Sequence, residues 1–255
     1  MMLSLLANLA VAAVLAQQPV VDAEYYKAIQ KGAEPLEAEA FAKLEADARE
    51  HFAAPEAYLP LARAFAATTE RVWAVIYGEM YLDLLPADGD RNGIDALVFQ
   101  LYDDAIEKTD KGLGVSLTKV AMVDANDPKP PFATNFELAL LLGCIVQPEG
   151  GDKPTLRSGI EPLTIQALTE IRRAQLATWK EKGFATTELM RWQMSVVEAG
   201  HFDAYNQWLF RGARPDEFKE WLGSHQKEHD AWVEWQREHP LKPASEDFQR
   251  LEARS

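Results

Sequence analysis

The sequence predicts an all-α fold of about ten helices that pair as antiparallel hairpins. Apolar residues recur with a period of about 3.6 along nearly the whole chain, the spacing that places them on one face of a helix. Proline, glycine and threonine stand at the breaks between the periodic segments. Because the connections are short, neighbouring helices are expected to pack side by side, either stacked as an open solenoid or closed as a helical bundle.

The composition is that of a globular chain. Hydrophobic residues make up 47% and charged residues 26% of the 255 residues, a mixture that excludes a disordered or fibrous protein. The net charge of −14 repels phosphate backbones, and no basic patch offsets it, so nucleic acid is not an expected partner. The single cysteine, Cys144, cannot form an internal disulfide, and the apolar run around it predicts a buried, unreactive thiol.

Residues 1–16 are predicted to be a signal peptide. The run is apolar and uncharged, has about the length of a signal-peptide core and is too short to span a bilayer. Val14 and Ala16 place small residues at the positions that a signal peptidase reads. Since the run has no Lys or Arg before it, an N-terminal core helix is the other interpretation. The prediction is export to the periplasm or beyond, with no transmembrane segment after cleavage.

Residues 17–111 are predicted to form an N-terminal helical-repeat region with five helices. The first covers residues 23–31, and the second begins at Pro35. The third and fourth lie on either side of a threonine pair, and Pro86 ends the fourth. The fifth, which begins at Ile94, has the clearest amphipathic pattern in the chain.

Residues 112–133 are predicted to be an irregular linker, with a short strand or a crossover, between this region and a C-terminal helical region at residues 134–255. Thr134 and Glu137 have the spacing of a capping box, which predicts the start of a helix. Further helices are predicted over residues 163–182, 188–199, 202–211 and 216–239, with a short one from Ser245.

Residues 55–88 have the length of one helical repeat of about 34 residues. A small residue at Ala62 lets the second helix approach the first, while Tyr58 and Phe65 fill the gap beside it. The segment resembles a tetratricopeptide repeat, whose Trp, Leu, Gly, Tyr, Ala and terminal Pro positions are occupied here by Tyr58, Leu61, Ala62, Phe65, Ala74 and Pro86.

Two positions depart from the tetratricopeptide pattern. Gly78 stands where an aromatic residue is usual and Tyr81 where a small one is usual, so Tyr77 or Tyr81 is expected to fill the space beside Gly78. A second, weaker likeness covers residues 200–205. The resemblance implies a scaffold that grips peptides or partner proteins and has no catalytic centre.

The segment His225-Gln226-Lys227-Glu228-His229 has the H-x-x-E-H form of an inverted zincin. On a helix, His225 and His229 share a face, so both could hold one Zn²⁺ while Glu228 activates water. The downstream glutamate that completes such sites has little chain left in which to occur. The other interpretation places both histidines in an aromatic seam of the same helix.

Asp88, Asp90 and Asn92 begin like a calcium-binding loop, with the required glycine sixth at Gly93. The twelfth position, where a bidentate glutamate is usual, is Phe99. The pattern therefore predicts either a weak calcium site or a plain turn that caps the next helix.

Six of the seven tryptophans lie in the later half of the chain, which indicates either an aromatic groove or an aromatic core. Trp221 and Trp235 are the candidates for exposed binding residues. Taken with the other patterns, this predicts an exported, non-enzymatic protein without a cofactor that binds a protein or peptide partner. The alternative is a zinc-dependent hydrolase that uses residues 225–229.

Overall fold

The computed structural model describes residues 38–68, 70–86, 89–109, 112–115, 117, 132–146 and 155–248. Within these ranges it has nine α-helices and four short strands, which confirms the predicted all-α class. The predicted signal peptide, the predicted helix over residues 23–31 and most of the predicted linker lie outside the described residues. No helix in the described ranges is both long enough and apolar enough to cross a membrane.

The helices are α1 (Ala38–Glu50), α2 (Tyr58–Ala66), α3 (Arg71–Leu84), α4 (Ile94–Ala105), α5 (Phe132–Gly143), α6 (Ile165–Lys182), α7 (Glu188–Glu198), α8 (Phe202–Leu209) and α9 (Pro215–Glu238). The strands pair as two antiparallel hairpins, β1 (Ile106–Thr109) with β2 (Gly112–Val115) and β3 (Ile145–Val146) with β4 (Thr155–Leu156). The hairpin of β1 and β2 reaches the start of the predicted linker, where the sequence predicts a short strand. Single 3₁₀ turns precede α2 at Pro55–Ala57 and follow α9 at Ser245–Asp247.

Helix α3 is the centre of the fold. Every residue of α3 except Leu84 is buried, and the helix packs against α2, α4, α5 and α7. A helix that is buried on all sides needs other elements to cover every face and its buried polar side chains to find partners inside the fold. The α2–α3 hairpin is the segment that resembles a tetratricopeptide repeat, and the residues that carry the resemblance within these two helices are buried. Whether this unit is repeated along the chain stays a prediction.

Gly78 lets α4 pack directly against α3. A Cβ atom at this position would lie 2.5 Å from Val98 Cγ2 and 3.3 Å from Ile94 Cγ2, both on α4. The expectation that Tyr77 or Tyr81 fills this space is therefore wrong, because side chains of α4 already occupy it. The helices approach too closely at this point for an aromatic residue to fit between them.

The C-terminal end of the described chain packs back on the first hairpin. Phe248 stacks on Tyr58 with ring centroids 6.0 Å apart and on Tyr77 at 5.8 Å. In a solenoid each repeat contacts only its neighbours, so a contact between segments this far apart in the chain is typical of a closed bundle. The buried apolar side chains accordingly form one cluster, which runs from Ala48 to Phe248 and includes both predicted helical regions.

Helix α5 begins at Phe132, two residues before the predicted capping box. The Phe132 ring stacks on Trp73 at 5.2 Å and packs against Trp179 at 5.1 Å. The helix start is thus fixed by aromatic packing across three helices, and the predicted cap residue Thr134 lies inside the helix. The expected start at Thr134 is wrong for this reason.

Candidate ligand-binding cleft

A cleft of about 720 Å³ opens between α6, α8 and α9. Helix α8 packs against both α6 and α9 and forms the floor, while α6 and α9 form the walls. The volume lies within the range of about 300–1,000 Å³ that is usual for ligand pockets. The cleft is lined by Gln166, Thr169, Arg173, Gly200, His201, Asp203, Ala204, Gln207, Trp221, His225, Lys227, Glu228 and Ala231.

Local sequence explains how the lining residues reach one space. On α6, Gln166, Thr169 and Arg173 are three and four residues apart, which places them on one face of the helix. Gly200 adopts a left-handed conformation with φ of 78° between α7 and α8, a conformation that glycine adopts without strain. This turn lets α8 begin directly after α7 and brings His201 to the mouth of the cleft.

Gln207 on the floor of the cleft has an unsatisfied polar atom. The residue is 6% exposed, and its side-chain Oε1 has no hydrogen-bond partner among the described residues. Nearly all buried polar atoms in native proteins have a partner, and leaving one without costs about 1–3 kcal/mol. The oxygen itself has almost no solvent-accessible surface, so it lies beneath the surface of the cleft.

Two basic and two acidic side chains line the cleft. Arg173 Nη2 lies 2.8 Å from Asp203 Oδ2, with the two side chains 39% and 61% exposed. Lys227 and Glu228 are exposed neighbours on α9. Two basic and two acidic side chains therefore face the same space, and an exposed ion pair such as Arg173–Asp203 contributes at most about 1 kcal/mol, so it can exchange partners.

Helix α9 is kinked within the cleft wall. His225 has φ of −125° and ψ of 29°, values that interrupt the helix at this residue. Its ring stacks on Trp221 at 5.0 Å and 4°, and its Nδ1 lies 2.9 Å from the carbonyl oxygen of Trp221. Because only a protonated nitrogen can donate to a carbonyl, this contact places a proton on Nδ1.

The structure separates the members of the H-x-x-E-H pattern. His225 and Glu228 line the cleft, whereas the ring of His229 packs against Phe218 at 5.9 Å. The His229 Nδ1 lies 3.7 Å from Asp230 Oδ1. In the part of the chain that the structure describes, no group of three or more His, Cys, Asp or Glu side chains is placed to hold a metal ion.

The tryptophans serve two different purposes. Trp179, Trp192, Trp208 and Trp232 are buried and fill the core. Trp221 is half-buried and lines the cleft. The second candidate, Trp235, is half-buried but does not line this cleft.

The ring of Trp235 is packed among other aromatic side chains. It stacks on His239 at 4.6 Å and on Trp232 at 5.9 Å, and its centroid lies 5.8 Å from that of His201. Of the two tryptophan candidates, only Trp221 is therefore placed to meet a ligand in the cleft.

Asp90, Asn92 and Gly93, the described residues of the calcium-like pattern, form a turn before α4. Asp90 Oδ1 accepts the backbone N–H of Asn92 at 2.9 Å, and the Asn92 side-chain Nδ2 donates to the Tyr81 hydroxyl at 2.7 Å. Gly93 precedes α4 with a left-handed φ of 70°. Asp88, the first candidate ligand, lies outside the described residues.

A second depression, of about 390 Å³, shares Arg173 with the cleft. Its other lining residues include Arg157 and Glu170, which form an ion pair at 2.6 Å. Arg173 therefore lines both concave surfaces.

A buried polar network lies at the centre of the bundle. Arg172 on α6 pairs with Glu79 on α3 at 2.5 Å and also donates to Asn206 on α8. Gln193 on α7 donates to the same Glu79 oxygen at 2.6 Å, and the Tyr102 hydroxyl on α4 donates to the other at 2.9 Å. Side chains from five helices therefore meet at one ion pair. They form hydrogen bonds to its carboxylate and guanidinium groups.

Asp83 extends this network, and one of its two carboxyl oxygens has no hydrogen-bond partner in the described structure. The Tyr205 hydroxyl donates to Asp83 Oδ2 at 2.9 Å, while Oδ1 has no partner in the described structure. Burial, with a further contribution from the charge of Glu79, raises the pKa of Asp83 well above its usual value. A neutral Asp83 spares the bundle an uncompensated charge beside the Glu79–Arg172 pair.

Cys144 is buried, as the sequence predicts, and burial raises the pKa of its thiol to about 12. Such a group is a neutral thiol at physiological pH and reacts poorly with electrophiles.

Sequence patterns identified Trp221, His225 and Glu228 in the cleft but missed Gln207, Asp203 and Arg173. The one available signal was a pair of adjacent amides, Asn206 and Gln207, between apolar residues of α8. No protein-family model, no curated protein and no solved structure matches this chain.

Proposed function

We propose that this protein is an exported, non-enzymatic binding protein that holds a segment of a partner protein or peptide in the cleft between α6, α8 and α9. The observation that carries the proposal is an open cleft of about 720 Å³ between three helices, lined by aromatic, amide and charged side chains. A peptide offers N–H donors, carbonyl acceptors and charged side chains that can pair with such a lining.

The side chains that line the cleft favour a binding protein over an enzyme. Aromatic, amide and charged side chains of both signs line it, a mixture that suits the recognition of a polypeptide. The tetratricopeptide-like hairpin at residues 55–88 agrees with such a role, since that family implies a protein-binding scaffold.

The test is a selection of phage-displayed random dodecapeptides on the purified protein, repeated on a variant with a blocked cleft. Ala231 is an exposed cleft residue of α9, so Ala231→Trp fills the cleft without disturbing the core. Val233→Trp is the matched control, because Val233 is exposed on the same helix and does not line the cleft. We expect peptides that bind the wild-type and control proteins and lose affinity for Ala231→Trp. If selected peptides bind all three proteins equally, or none is selected, the proposal is wrong.

A second candidate function, zinc-dependent hydrolysis, is favoured by the position of His225 and Glu228 on the same cleft wall. The hydrogen bond from His225 Nδ1 to a carbonyl is the arrangement that metal-bound histidines use to orient the ring. Metal analysis of the dialysed protein tests it. Less than one zinc ion per chain would remove this candidate and leave the binding function in place.

A further inference from the structure

We infer that residues 226–248 exchange between two copies of this chain, so that the partner of this segment is a second copy in a domain-swapped dimer. The hinge of the exchange is His225, where α9 bends. The inference is independent of the proposed function and rests on the shape of α9 and on the contacts of its two halves. Residues 215–224 are the first limb of α9, and residues 226–238 are the second limb.

The two limbs fold sharply against each other. Phe218 on the first limb and His229 on the second have ring centroids 5.9 Å apart. These residues are eleven positions apart in the chain, which corresponds to about 16 Å along a straight helix. Their ring contact therefore requires a sharp bend between the limbs and excludes a gentle curvature of the whole helix.

Three neighbouring residues produce the bend. His225 is the residue inside α9 with non-helical dihedral angles, and its Nδ1 lies 2.9 Å from the carbonyl oxygen of Trp221. The Ser224 hydroxyl donates to the same oxygen at 3.2 Å. A Gly-Ser pair, here Gly223 and Ser224, and side chains inserted into the helical hydrogen-bond ladder are both known causes of kinks. A change of φ and ψ at His225 would therefore straighten α9.

The first limb is anchored to the body of the fold at its start. Glu217 Oε2 accepts the backbone N–H of Ile165, the first residue of α6, at 2.9 Å. Directly before the limb, Arg214 Nη2 donates to the carbonyl oxygen of Leu163 at 3.1 Å, and its guanidinium lies 4.8 Å from the centre of the Phe99 ring. All these contacts precede the hinge, so straightening of α9 leaves them in place.

The second limb and the residues after it are anchored separately. Trp232 is fully buried, with its ring 5.2 Å from that of Tyr205 and 6.0 Å from that of Trp192. Trp192 Nε1 donates to the carbonyl oxygen of His239 at 2.7 Å, and Phe248 stacks on two tyrosines of the α2–α3 hairpin. A second copy presents an identical docking surface, so each of these contacts forms again between copies after the exchange.

The exchange removes the bend at little cost in packing. The residues next to the hinge are exposed, namely Gly223, Ser224, Gln226, Lys227 and Glu228. Each copy gains the helical hydrogen bonds that the bend interrupts, and a hinge this short favours exchange over closure on the same chain. The net charge of −14 on each copy opposes association, and salt screens this repulsion.

The exchange also divides the cleft between the two copies. Lys227, Glu228 and Ala231 line the cleft from beyond the hinge, whereas Arg173 on α6 and Asp203 on α8 line it from before the hinge. In the dimer each cleft therefore takes its second-limb wall from the other copy.

The experiment measures the dimer that forms when the protein refolds from urea at high salt and is incubated to equilibrium, by size-exclusion chromatography with light scattering. His225→Ala removes the ring that holds the bend and introduces the best helix former, and in a dimer this effect counts twice. We expect it to raise the association constant of the dimer about tenfold or more. Ser224→Ala, which removes the other side chain from the Trp221 carbonyl, should raise it as well.

Two further variants serve as controls for the hinge. Lys219→Ala changes an exposed residue of the first limb and should leave the association constant unchanged. Insertion of Gly-Ser-Gly after Ser224 lengthens the hinge, lets the second limb close on its own chain and should lower the association constant.

Selective isotope labelling shows whether the dimer is exchanged. Copies with labelled aromatic rings are refolded with an equal amount of unlabelled copies, and only NOEs between copies are recorded. We expect NOEs between Phe248 of one copy and Tyr58 of the other, whose rings stack at 6.0 Å. A dimer without these NOEs would overturn the inference. So would the absence of a dimer in both His225→Ala and Ser224→Ala, or an insertion variant that dimerises as strongly as the wild type.

Discussion

Glu79 and Arg172 meet at 2.5 Å between Oε2 and Nη2, and both side chains are only 2% exposed. They lie 93 residues apart in the chain, on the central helix α3 and on the cleft helix α6. The pair therefore fixes the position of α6, one wall of the proposed binding cleft, relative to the core. Breaking a buried ion pair costs far more free energy of unfolding than breaking an exposed one, so this pair can be tested by mutation.

Replacing Arg172 should destabilise the protein strongly. Arg172→Met leaves Glu79 buried without its countercharge, which costs about 3–5 kcal/mol in the free energy of unfolding. Arg173→Met is the matched control on the same helix, because the exposed pair of Arg173 and Asp203 contributes at most about 1 kcal/mol. Urea denaturation measures both values. Equal losses in the two variants would show that the buried network does not stabilise the bundle as described.

The stability should depend on pH through Asp83. Its raised pKa means that the folded state holds the proton more tightly than the unfolded chain does. The contribution of this group to stability is therefore complete below its usual pKa of 3.8 and is lost as the pH rises through the raised value.

Asp83→Asn removes this titration, so the free energy of unfolding of the variant should fall less than that of the wild type as the pH rises above 3.8 and through the raised pKa of Asp83. Asp203→Asn, at an exposed carboxyl, should leave the wild-type slope unchanged. Parallel pH profiles for wild type and Asp83→Asn would contradict a proton held at Asp83.

Two helical glycines should respond to alanine with opposite signs. In Gly78→Ala the new methyl group would meet Val98 Cγ2 at 2.5 Å, and such overpacking costs about 1–3 kcal/mol. Gly223 on α9 has no atom within 4 Å of the corresponding position, so Gly223→Ala should gain about 0.5–1 kcal/mol from helix propensity. Thermal unfolding checks both, and a stabilised Gly78→Ala would refute the close α3–α4 contact.

The Cys144 thiol should react only when the protein unfolds. It is buried, and its pKa of about 12 leaves almost no thiolate at neutral pH. A chromogenic disulfide reagent should therefore label almost none of the folded protein. In urea it should label one thiol per chain. Rapid labelling of the folded protein at neutral pH would mean that the segment around Cys144 opens readily.

The helices were predictable where local residues determine them. Pro86 ends the segment that holds α3, and glycines close α6 and α7 at residues 183 and 200, near the predicted positions. The start of α5 was not predictable, because Phe132 is fixed by Trp73 and Trp179, aromatic residues that only the tertiary fold brings near.

The functional features were harder to predict because they combine residues from several helices. Glu79 and Arg172 look like ordinary helical charges in the sequence, and their pairing depends on how α3 and α6 cross. The cleft likewise draws Arg173 from α6, Gln207 from α8 and Trp221 from α9. A pattern search along one helix could find only the α9 members.

The central claim is that a polypeptide segment binds in the cleft, and the NMR signals of side chains that line it, such as the Gln207 amide, test it most directly. On titration with a cleft-dependent peptide, the Gln207 amide and the Trp221 indole N–H should show the largest shift changes, while the side-chain amide of Gln100 stays in place. Binding that shifts Gln100 or other distant amides and leaves Gln207 and Trp221 unmoved would contradict the claim.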